Sequence, residues 1–226
     1  MSFTGFSKQS LTFLDKLARN NERDWFHANR DMYEAELLGP AKDFVVAMGD
    51  RLFSLSPDIN AEPRVNGSIR RIARDIRFSP NKKPYKEYFD FFFRYAGASK
   101  EGPGYFLRVT PKKMWVGGGA YVFDKAVLPK YRDAVAADKS GAALEAAVKK
   151  LRKAGIEVGG EHYKRVPRGY DAEHPRGELL RHAGLYGMLE FKIPKEYFSP
   201  AFATFCTKHF KKIAPLNEWI VDNVAP

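Results

Sequence analysis

The chain has a single cysteine, Cys206, among its 226 residues. One cysteine cannot form an internal disulfide or supply the thiolates of a cysteine-rich metal centre, and such cysteine usage is typical of a reducing compartment. Stretches of about 20 apolar residues, the length that spans a bilayer, are missing, as is a basic head followed by a long apolar segment at the N-terminus. The composition therefore predicts a soluble cytoplasmic protein without a membrane partner.

Familiar nucleotide and metal motifs are missing as well. The sequence has neither G-x-x-x-x-G-K-[ST] nor the spaced G-x-G-x-x-G of dinucleotide folds, which argues against an NTPase and a Rossmann dehydrogenase. Its five histidines form no HExxH motif. His162, His174 and His182 lack the ligand spacing of a metal site. We therefore predict no metal and no cofactor.

Acidic residues are in short supply. Lysine and arginine number 38 against 27 aspartate and glutamate residues, which gives a net charge of +11 and a pI near 9.6. Such a charge attracts anions, including nucleic acids and phosphorylated metabolites. One segment, RRIARDIRFSPNKKPYKEYF at residues 70–89, contains seven basic and two acidic residues. This local excess predicts a site for an anion.

Hydrophobic periodicity predicts an α+β fold. With 44% hydrophobic and 14% aromatic residues, the chain can bury a substantial core. Apolar residues alternate in EYFDFFFRY, GYFLRVT, MWVGG and LYGMLEFKI, which predicts an antiparallel sheet. We expect a meander around residues 88–118 and a strand near residues 185–193, flanked by N-terminal and C-terminal helices. No linker-like composition interrupts the chain, so we predict a single domain over residues 1–226.

Capping residues refine the helix predictions. Ser7 and Asn21 are expected to cap the first two helices, and Pro40 is expected in the first turn of the third. Gly184 is expected to end a short helix before the last strand. More than one helix is expected after residue 200.

The basic segment offers donors that suit an anion. If residues 69–76 form a helical turn or two, Arg70, Arg74 and Arg77 project beside a buried row of isoleucines. Arginine presents a fixed fork of donors that matches carboxylate or phosphate. Two prolines restrict residues 77–86, which we expect to form an ordered loop or turn. The residues predicted to bind the ligand are Arg71, Arg74, Asp75, Arg77, Asn81, Lys82, Tyr85 and Lys86. Solvated side chains, or pairing with distant acids, are the alternative.

Tyr85 and Asp75 are the candidates for catalysis. Between Lys83 and Lys86 the phenolate of Tyr85 would be stabilised, which predicts a lowered pKa and a general acid or base. Asp75 would orient an arginine. An inert tyrosine is the alternative interpretation, and whether the protein is an enzyme stays open.

A glycine cluster is the second candidate element. Gly117, Gly118 and Gly119 lie in WVGGGAYVFD, between a predicted strand and a predicted helix. Backbone N–H groups there could point into one space beside a helix N-terminus and bind an anion. A tight turn that needs positive φ is the alternative.

A signature in the basic segment resembles that of a bacterial and fungal family catalogued as domain of unknown function (DUF) 2461. The signature is Arg71-x-x-Arg74-Asp75-x-Arg77-Phe78, followed by Asn81-Lys82-x-Pro84-Tyr85-Lys86. The blocks NNERDWFHANRDMYE, GPGYFLRV, WVGGGAY and HPRGELLRHAGLY are similar to further family blocks in the same order, over the whole chain. Ala183 stands where lysine is expected in many relatives. The resemblance implies a shared fold and a shared site, and it brings no established activity.

Three classes of function stay open. The first is a binding or catalytic site for a small phosphorylated or carboxylated ligand. The second is a nucleic-acid-binding protein, in which the basic segment contacts phosphates and aromatic residues on the strands stack with bases. The third is a structural domain that docks a partner. Because a carboxylate, an amide and a phenol are interleaved with the cations, we favour the first class.

Overall fold

A computed structural model of the chain describes residues 2–99 and 102–224. The α-helices are α1 (Lys8–Arg19), α2 (Arg23–Ala28), α3 (Arg30–Tyr33), α4 (Gly39–Phe53), α5 (Leu128–Ala136), α6 (Asp138–Lys153), α7 (Gly177–Leu180) and α8 (Ala201–Asn223). A π-helical turn covers Glu34–Leu38 and a 3₁₀ turn covers Lys195–Phe198. The strands are β1 (Phe89–Arg94), β2 (Gly104–Val109), β3 (Lys113–Ala120), β4 (Glu157–Glu161) and β5 (His182–Lys192).

The strands form one antiparallel sheet in the order β1-β2-β3-β5-β4. Helices precede β1 and follow β5 in the chain, so the α+β fold, the meander and the late strand are confirmed. In β1, Phe89, Phe91 and Phe93 are buried and alternate with less buried residues. This is the period of two that the sequence shows. None of the helices in the described part of the chain has the length and hydropathy that crossing a membrane requires.

The first helix begins as predicted, whereas the second does not. Ser7 Oγ accepts the backbone N–H of Ser10 at 3.2 Å and so caps α1. The N-cap residue of α2 is Glu22. The amide of Asn21 instead donates to the carbonyl of Tyr85 at 3.1 Å and accepts its backbone N–H at 3.0 Å. The predicted Asn21 cap is wrong because this side chain already has other partners.

Strand β4 has no counterpart among the predicted strands. It pairs antiparallel with β5, and Gly159 lies opposite Tyr186. A Cβ on Gly159 would lie 2.5 Å from the Tyr186 ring, so the site requires glycine rather than a typical strand former. Gly184 lies within β5, where a Cβ would approach the carbonyl oxygen of Tyr121 to 2.0 Å. The prediction that Gly184 ends a helix is therefore wrong.

The C-terminal region contains one helix, α8, where more than one was expected. Pro215 lies inside it, and an internal proline removes one helical hydrogen bond. Ile213, Leu216 and Ile220 on both sides of the proline are buried in the same hydrophobic cluster. This shared burial offsets the lost hydrogen bond.

The chain divides into two compact units. Unit 1 consists of Met1–Phe93, Phe106–Trp115 and Glu190–Lys208. Its core is aromatic: the ring centroid of Phe44 lies 5.1 Å from that of Phe91 and 5.3 Å from that of Phe202. All three side chains are buried. Aromatic pairs at such distances add about 0.5–1.5 kcal/mol to the stabilisation that burial alone provides.

Unit 2 consists of Arg94–Tyr105, Val116–Leu189 and His209–Pro226. Its hydrophobic cluster joins residues of α5, α6, β5 and α8. The buried Tyr131 hydroxyl donates to the carbonyl of Leu179 at 2.9 Å. Its ring lies edge-on to that of Trp219, with the centroids 6.0 Å apart.

A buried histidine lies in unit 2. The side chain of His182 is 1% exposed, and its Nδ1 has no hydrogen-bond partner among the described residues. Burial lowers the pKa of His182, although the backbone of Gly184 and the carboxylates of Glu178 and Glu161 act in the opposite direction. The neutral imidazole is therefore the form that the folded protein favours.

We predict that acid weakens the fold through His182. Below about pH 6.5, the ordinary pKa of histidine, the unfolded chain takes up a proton that the buried imidazole resists. The free energy of unfolding should therefore fall more between pH 7 and pH 5 for the wild type than for His182→Gln. Urea unfolding at both pH values measures the difference. His27→Gln, at an exposed histidine, is the matched control, and identical losses in all three proteins would refute the prediction.

We also predict a single cooperative unfolding transition. Strands β2, β3 and β5 and helix α8 each contribute residues to both units, so neither unit has a complete set of elements of its own. Urea curves from tryptophan fluorescence and from far-ultraviolet circular dichroism should coincide. Release of a stable fragment of about 100 residues, the size of a small domain, by limited proteolysis would contradict this.

Candidate functional site

Residues 68–74 and 84–92, here named the basic ribbon, run antiparallel to each other. The backbone N–H of Arg70 donates to the carbonyl of Asp90 at 2.9 Å, and that of Arg74 donates to the carbonyl of Pro84 at 2.8 Å. The predicted helical turn at residues 69–76 is wrong because this backbone pairs with the neighbouring strand instead. The isoleucines nevertheless lie inward as expected, since Ile69 and Ile72 are buried.

The ribbon is closed by residues 75–83, here named the basic loop, and Arg74 organises this loop. Its Nη1 donates to the carbonyls of Lys83 at 2.9 Å and Asn81 at 3.3 Å, and its Nη2 donates to Ser79 Oγ at 3.2 Å. The guanidinium group therefore binds the chain's own oxygens. Oxygen atoms that accept hydrogen bonds stabilise a cation, so this arrangement holds the chain's own guanidinium group and is not a site for an anion.

Other loop residues also hold the loop in shape. Both oxygens of Asp75 accept hydrogen bonds from the Arg77 guanidinium, at 3.0 and 2.7 Å. These bonds lower the pKa of Asp75 to about 2. Asn81 Oδ1 accepts the backbone N–H of Lys83 at 3.0 Å, and Lys82 Nζ donates to the carbonyl of residue 76 at 3.1 Å. Five residues predicted to bind the ligand thus have structural partners within the loop.

The side chain of Tyr85 contributes to packing. It is 8% exposed, and its ring stacks on Phe26 with the centroids 4.2 Å apart. Burial raises the pKa of Tyr85, and the positive charge of Arg23 opposes this only in part. The predicted lowering of the pKa is wrong because loss of water, rather than the neighbouring lysines, dominates the phenol's environment. The hydroxyl is protonated at neutral pH and is a poor general base.

Two cations contact the carboxylate of Asp90 at the base of the ribbon, and the charges of two further arginines act on one of them. Arg108 on β2 donates to both oxygens of Asp90, at 2.8 and 3.0 Å. Lys86 Nζ lies 3.8 Å from the same carboxylate. The cations Arg70, Arg71, Lys86 and Arg108, together with Asp90, are here named the anion cluster. Its members come from the ribbon and from the adjacent strand.

Burial and neighbouring charges both act on Lys86 in the anion cluster. Burial lowers the pKa of Lys86, Asp90 raises it, and Arg108, Arg70 and Arg71 each lower it further. The side chain of Lys86 is 21% exposed, and that of Asp90 is 14% exposed. A half-buried ammonium group near three guanidinium groups and one carboxylate is the arrangement that an added anion stabilises.

Only two of the residues predicted to bind the ligand, Arg71 and Lys86, belong to the anion cluster. Arg70, Asp90 and Arg108 were not predicted. The alternation in β1 and β2 offered a signal for the last two, because Asp90 and Arg108 occupy the positions between buried residues on neighbouring strands. Opposite charges at such positions pair across a sheet.

The glycines of WVGGGAY lie within strand β3 rather than in a loop. All three are buried. A Cβ on Gly118 would lie 2.9 Å from the Tyr105 ring, and one on Gly119 would lie 2.2 Å from the carbonyl oxygen of Leu185. Close packing within unit 2 explains why side chains are missing at these two positions.

A cavity of about 290 Å³ in unit 2 lies between α6 and residues 175–179. Arg152 pairs there with Glu178, and Arg176 Nε donates to the carbonyl of Val135 at 2.7 Å. Both of these guanidinium groups therefore have partners within unit 2. Among residues 2–99 and 102–224, no group of three or more His, Cys, Asp or Glu side chains could hold a metal ion.

The comparison with protein families agrees with the resemblance seen in the sequence. A family model described as "Conserved hypothetical protein (DUF2461)" matches residues 9–219. The chain belongs to this family. The DUF2461 match includes the basic ribbon, the basic loop and the anion cluster, and the family description states no activity. No curated protein matches the chain.

We predict that Arg74 keeps the basic loop ordered. Arg74→Lys retains the charge and loses the fork that reaches three acceptors, so amide exchange in residues 75–83 should become about fivefold faster, as expected for a loss of about 1 kcal/mol. Hydrogen–deuterium exchange measures this. Arg71→Lys, at an exposed ribbon residue, is the matched control. Tail-like exchange throughout the wild-type loop would refute a preformed structure.

Proposed function

We propose that the anion cluster binds a small phosphorylated or carboxylated ligand. The observation that carries the proposal is the position of Lys86: its half-buried ammonium group lies 3.8 Å from the carboxylate of Asp90, and the charges of Arg108, Arg70 and Arg71 act on it. An anion beside Lys86 would relieve the repulsion that the three arginines impose on the ammonium group. Arginine donors arranged in a fixed fork suit a phosphate or carboxylate that accepts two parallel hydrogen bonds.

The charge of the ligand favours a phosphate over a carboxylate. A phosphate monoester carries about −1.5 to −2 at neutral pH, whereas a carboxylate carries a single negative charge. A phosphate therefore attracts Lys86 and the arginines that act on it more strongly. Asp90 has a separate role, because its two hydrogen bonds orient Arg108, whose guanidinium carbon lies 3.8 Å from the centroid of the Tyr88 ring.

The proposal concerns binding and includes no chemical step. Both candidates for catalysis have structural partners, because Asp75 pairs with Arg77 in the loop and the Tyr85 ring stacks on Phe26 of α2. A phosphorylated metabolite as ligand accords with the cytoplasmic location that the single cysteine predicts.

Thermal unfolding in the presence of inorganic pyrophosphate tests the proposal. A ligand at about 100 times its Kd that binds only the folded state adds about 2.7 kcal/mol, which corresponds to a rise in Tm of about 5 to 11 °C. Lys86→Met should lose most of this rise, because it removes the central cation without leaving a charge behind. The control is Lys83→Met, since Lys83 pairs with Glu87 on the surface.

The comparison is made at constant ionic strength, so that general screening is the same in every sample. A panel of phosphorylated and carboxylated compounds that all raise Tm by less than about 1 °C would refute the proposal. Equal losses in Lys86→Met and Lys83→Met would assign the effect to overall charge rather than to the anion cluster.

A further inference from the structure

Phe78 protrudes from the basic loop. Its side chain is 94% exposed, and no large apolar side chain in the described part of the chain is more exposed. Single exposed apolar residues are ordinary on protein surfaces. Phe78 differs because the hydrogen bonds of Arg74, Asp75 and Asn81 fix the loop that carries it. The ring is therefore presented to solvent in a defined position before any partner binds.

One cation lies beside the ring, and two others are exposed in the same loop. The guanidinium carbon of Arg77 lies 5.8 Å from the centroid of Phe78, and Lys82 and Lys83 are exposed in the same loop. An aromatic face flanked by positive charges matches a partner that presents flat rings together with negative charges. Among biological polymers, a single-stranded nucleic acid has this chemistry, because every base has a face that can stack and every nucleotide carries a phosphate.

We propose that the basic loop and the basic ribbon bind single-stranded nucleic acid, with one base stacked on Phe78 and the neighbouring phosphates along the ribbon. This inference rests on the proposed function, since the phosphates would include the anion that the cluster binds. It goes beyond a small ligand, because the anion at the cluster would be one phosphate of a strand of several nucleotides. Stacking on a phenyl ring tolerates every base, so no strong sequence preference is expected.

The positive charges continue from the loop to the anion cluster. Arg71 lies between the two, because its charge acts both on Asp75 at the edge of the loop and on Lys86 in the cluster. From Arg70 to Arg74 the ribbon extends about 13 Å, at roughly 3.3 Å per residue. A strand of several nucleotides is long enough to follow the ribbon over this length.

A single strand fits the loop better than a duplex or a membrane does. In a duplex the bases stack on each other and hide their faces from a side chain. Insertion into a membrane requires a larger apolar surface, and the other loop tip residues, Ser79, Pro80, Asn81 and Lys82, are polar, charged or small. Base stacking therefore favours a single strand over a duplex, and charge complementarity favours a polyanion as the partner.

Fluorescence anisotropy with a labelled oligothymidylate of about 12 nucleotides, within the roughly 4 to 16 that one small domain covers, tests the inference. Phe78→Ala should weaken binding about 5- to 150-fold, the loss expected for one stacked base. Phe78→Trp should retain the affinity. The matched control is Phe53→Ala, at a phenylalanine on α4 that is 67% exposed, and it should bind like the wild type. Both substitutions are at exposed sites, so thermal unfolding should be unchanged.

Two further arms separate stacking from charge. An abasic strand of the same length should bind the wild type no better than oligothymidylate binds Phe78→Ala. In Arg71→Ala, the slope of log affinity against log salt should fall by about 0.7, the value for one phosphate contact on a single strand. Affinity for oligothymidylate that is unchanged in Phe78→Ala, or equal for the abasic strand, would overturn the inference.

The remaining outcomes distinguish this inference from the proposed function. A pyrophosphate shift without oligothymidylate binding overturns the inference and leaves the proposed function intact. The absence of both overturns both. Binding to anionic phospholipid vesicles that depends on Phe78, without binding to oligothymidylate, replaces the nucleic acid by a membrane surface and also overturns the inference.

Discussion

The amide of Asn21 pairs with the backbone of Tyr85 through one donated and one accepted hydrogen bond, as a residue of a neighbouring strand would. This contact anchors the basic ribbon to the N-terminal helices, and the stack of Tyr85 on Phe26 buries the ring beside it. The pairing of residues 68–74 with residues 84–92 and the burial of Ile69 and Ile72 hold the same segment. Together these contacts keep seven positive side chains in place against a mutual repulsion that favours an extended chain.

Two ways of accommodating positive charge operate in adjacent parts of the segment. In the basic loop, the guanidinium groups of Arg74 and Arg77 bind backbone carbonyls and Asp75, so charge serves as internal structure. In the anion cluster, Asp90 contacts Lys86 and Arg108, and the charges of Arg108, Arg70 and Arg71 act on Lys86. The contrast separates residues that shape the site from residues that are available to a ligand. A cluster of basic residues in a sequence contains both kinds, and their spacing does not separate them.

Much of the fold followed from alternation and capping, because these patterns depend on local geometry. The buried phenylalanines of β1 and the Ser7 cap of α1 are examples. The failures share a cause in contacts between residues distant in sequence. Asparagine is a common helix cap, but the side chain of Asn21 instead bonds to a partner 64 residues away. Glycine is unfavourable in a strand, yet glycine is needed at position 159 because the Tyr186 ring on the paired strand occupies the space of a side chain. The direction of the Arg74 guanidinium depends on three acceptors whose positions no local pattern encodes.

The separation between Asn21 and Tyr85 also bears on how the chain assembles. Closing a loop of 64 residues costs conformational entropy before any contact within it is gained. The turn contacts of the basic loop span fewer than ten residues and can form early, whereas the ribbon acquires its anchor only after the N-terminal helices and the first strand have met. During synthesis and folding, the basic loop would therefore form before the N-terminal helices pack against the basic ribbon. Anions in solution would then reduce the repulsion among the basic side chains and speed the step in which the ribbon meets the N-terminal helices. Such counterions would lower the energy of a folding transition state, independently of any ligand bound to the folded protein.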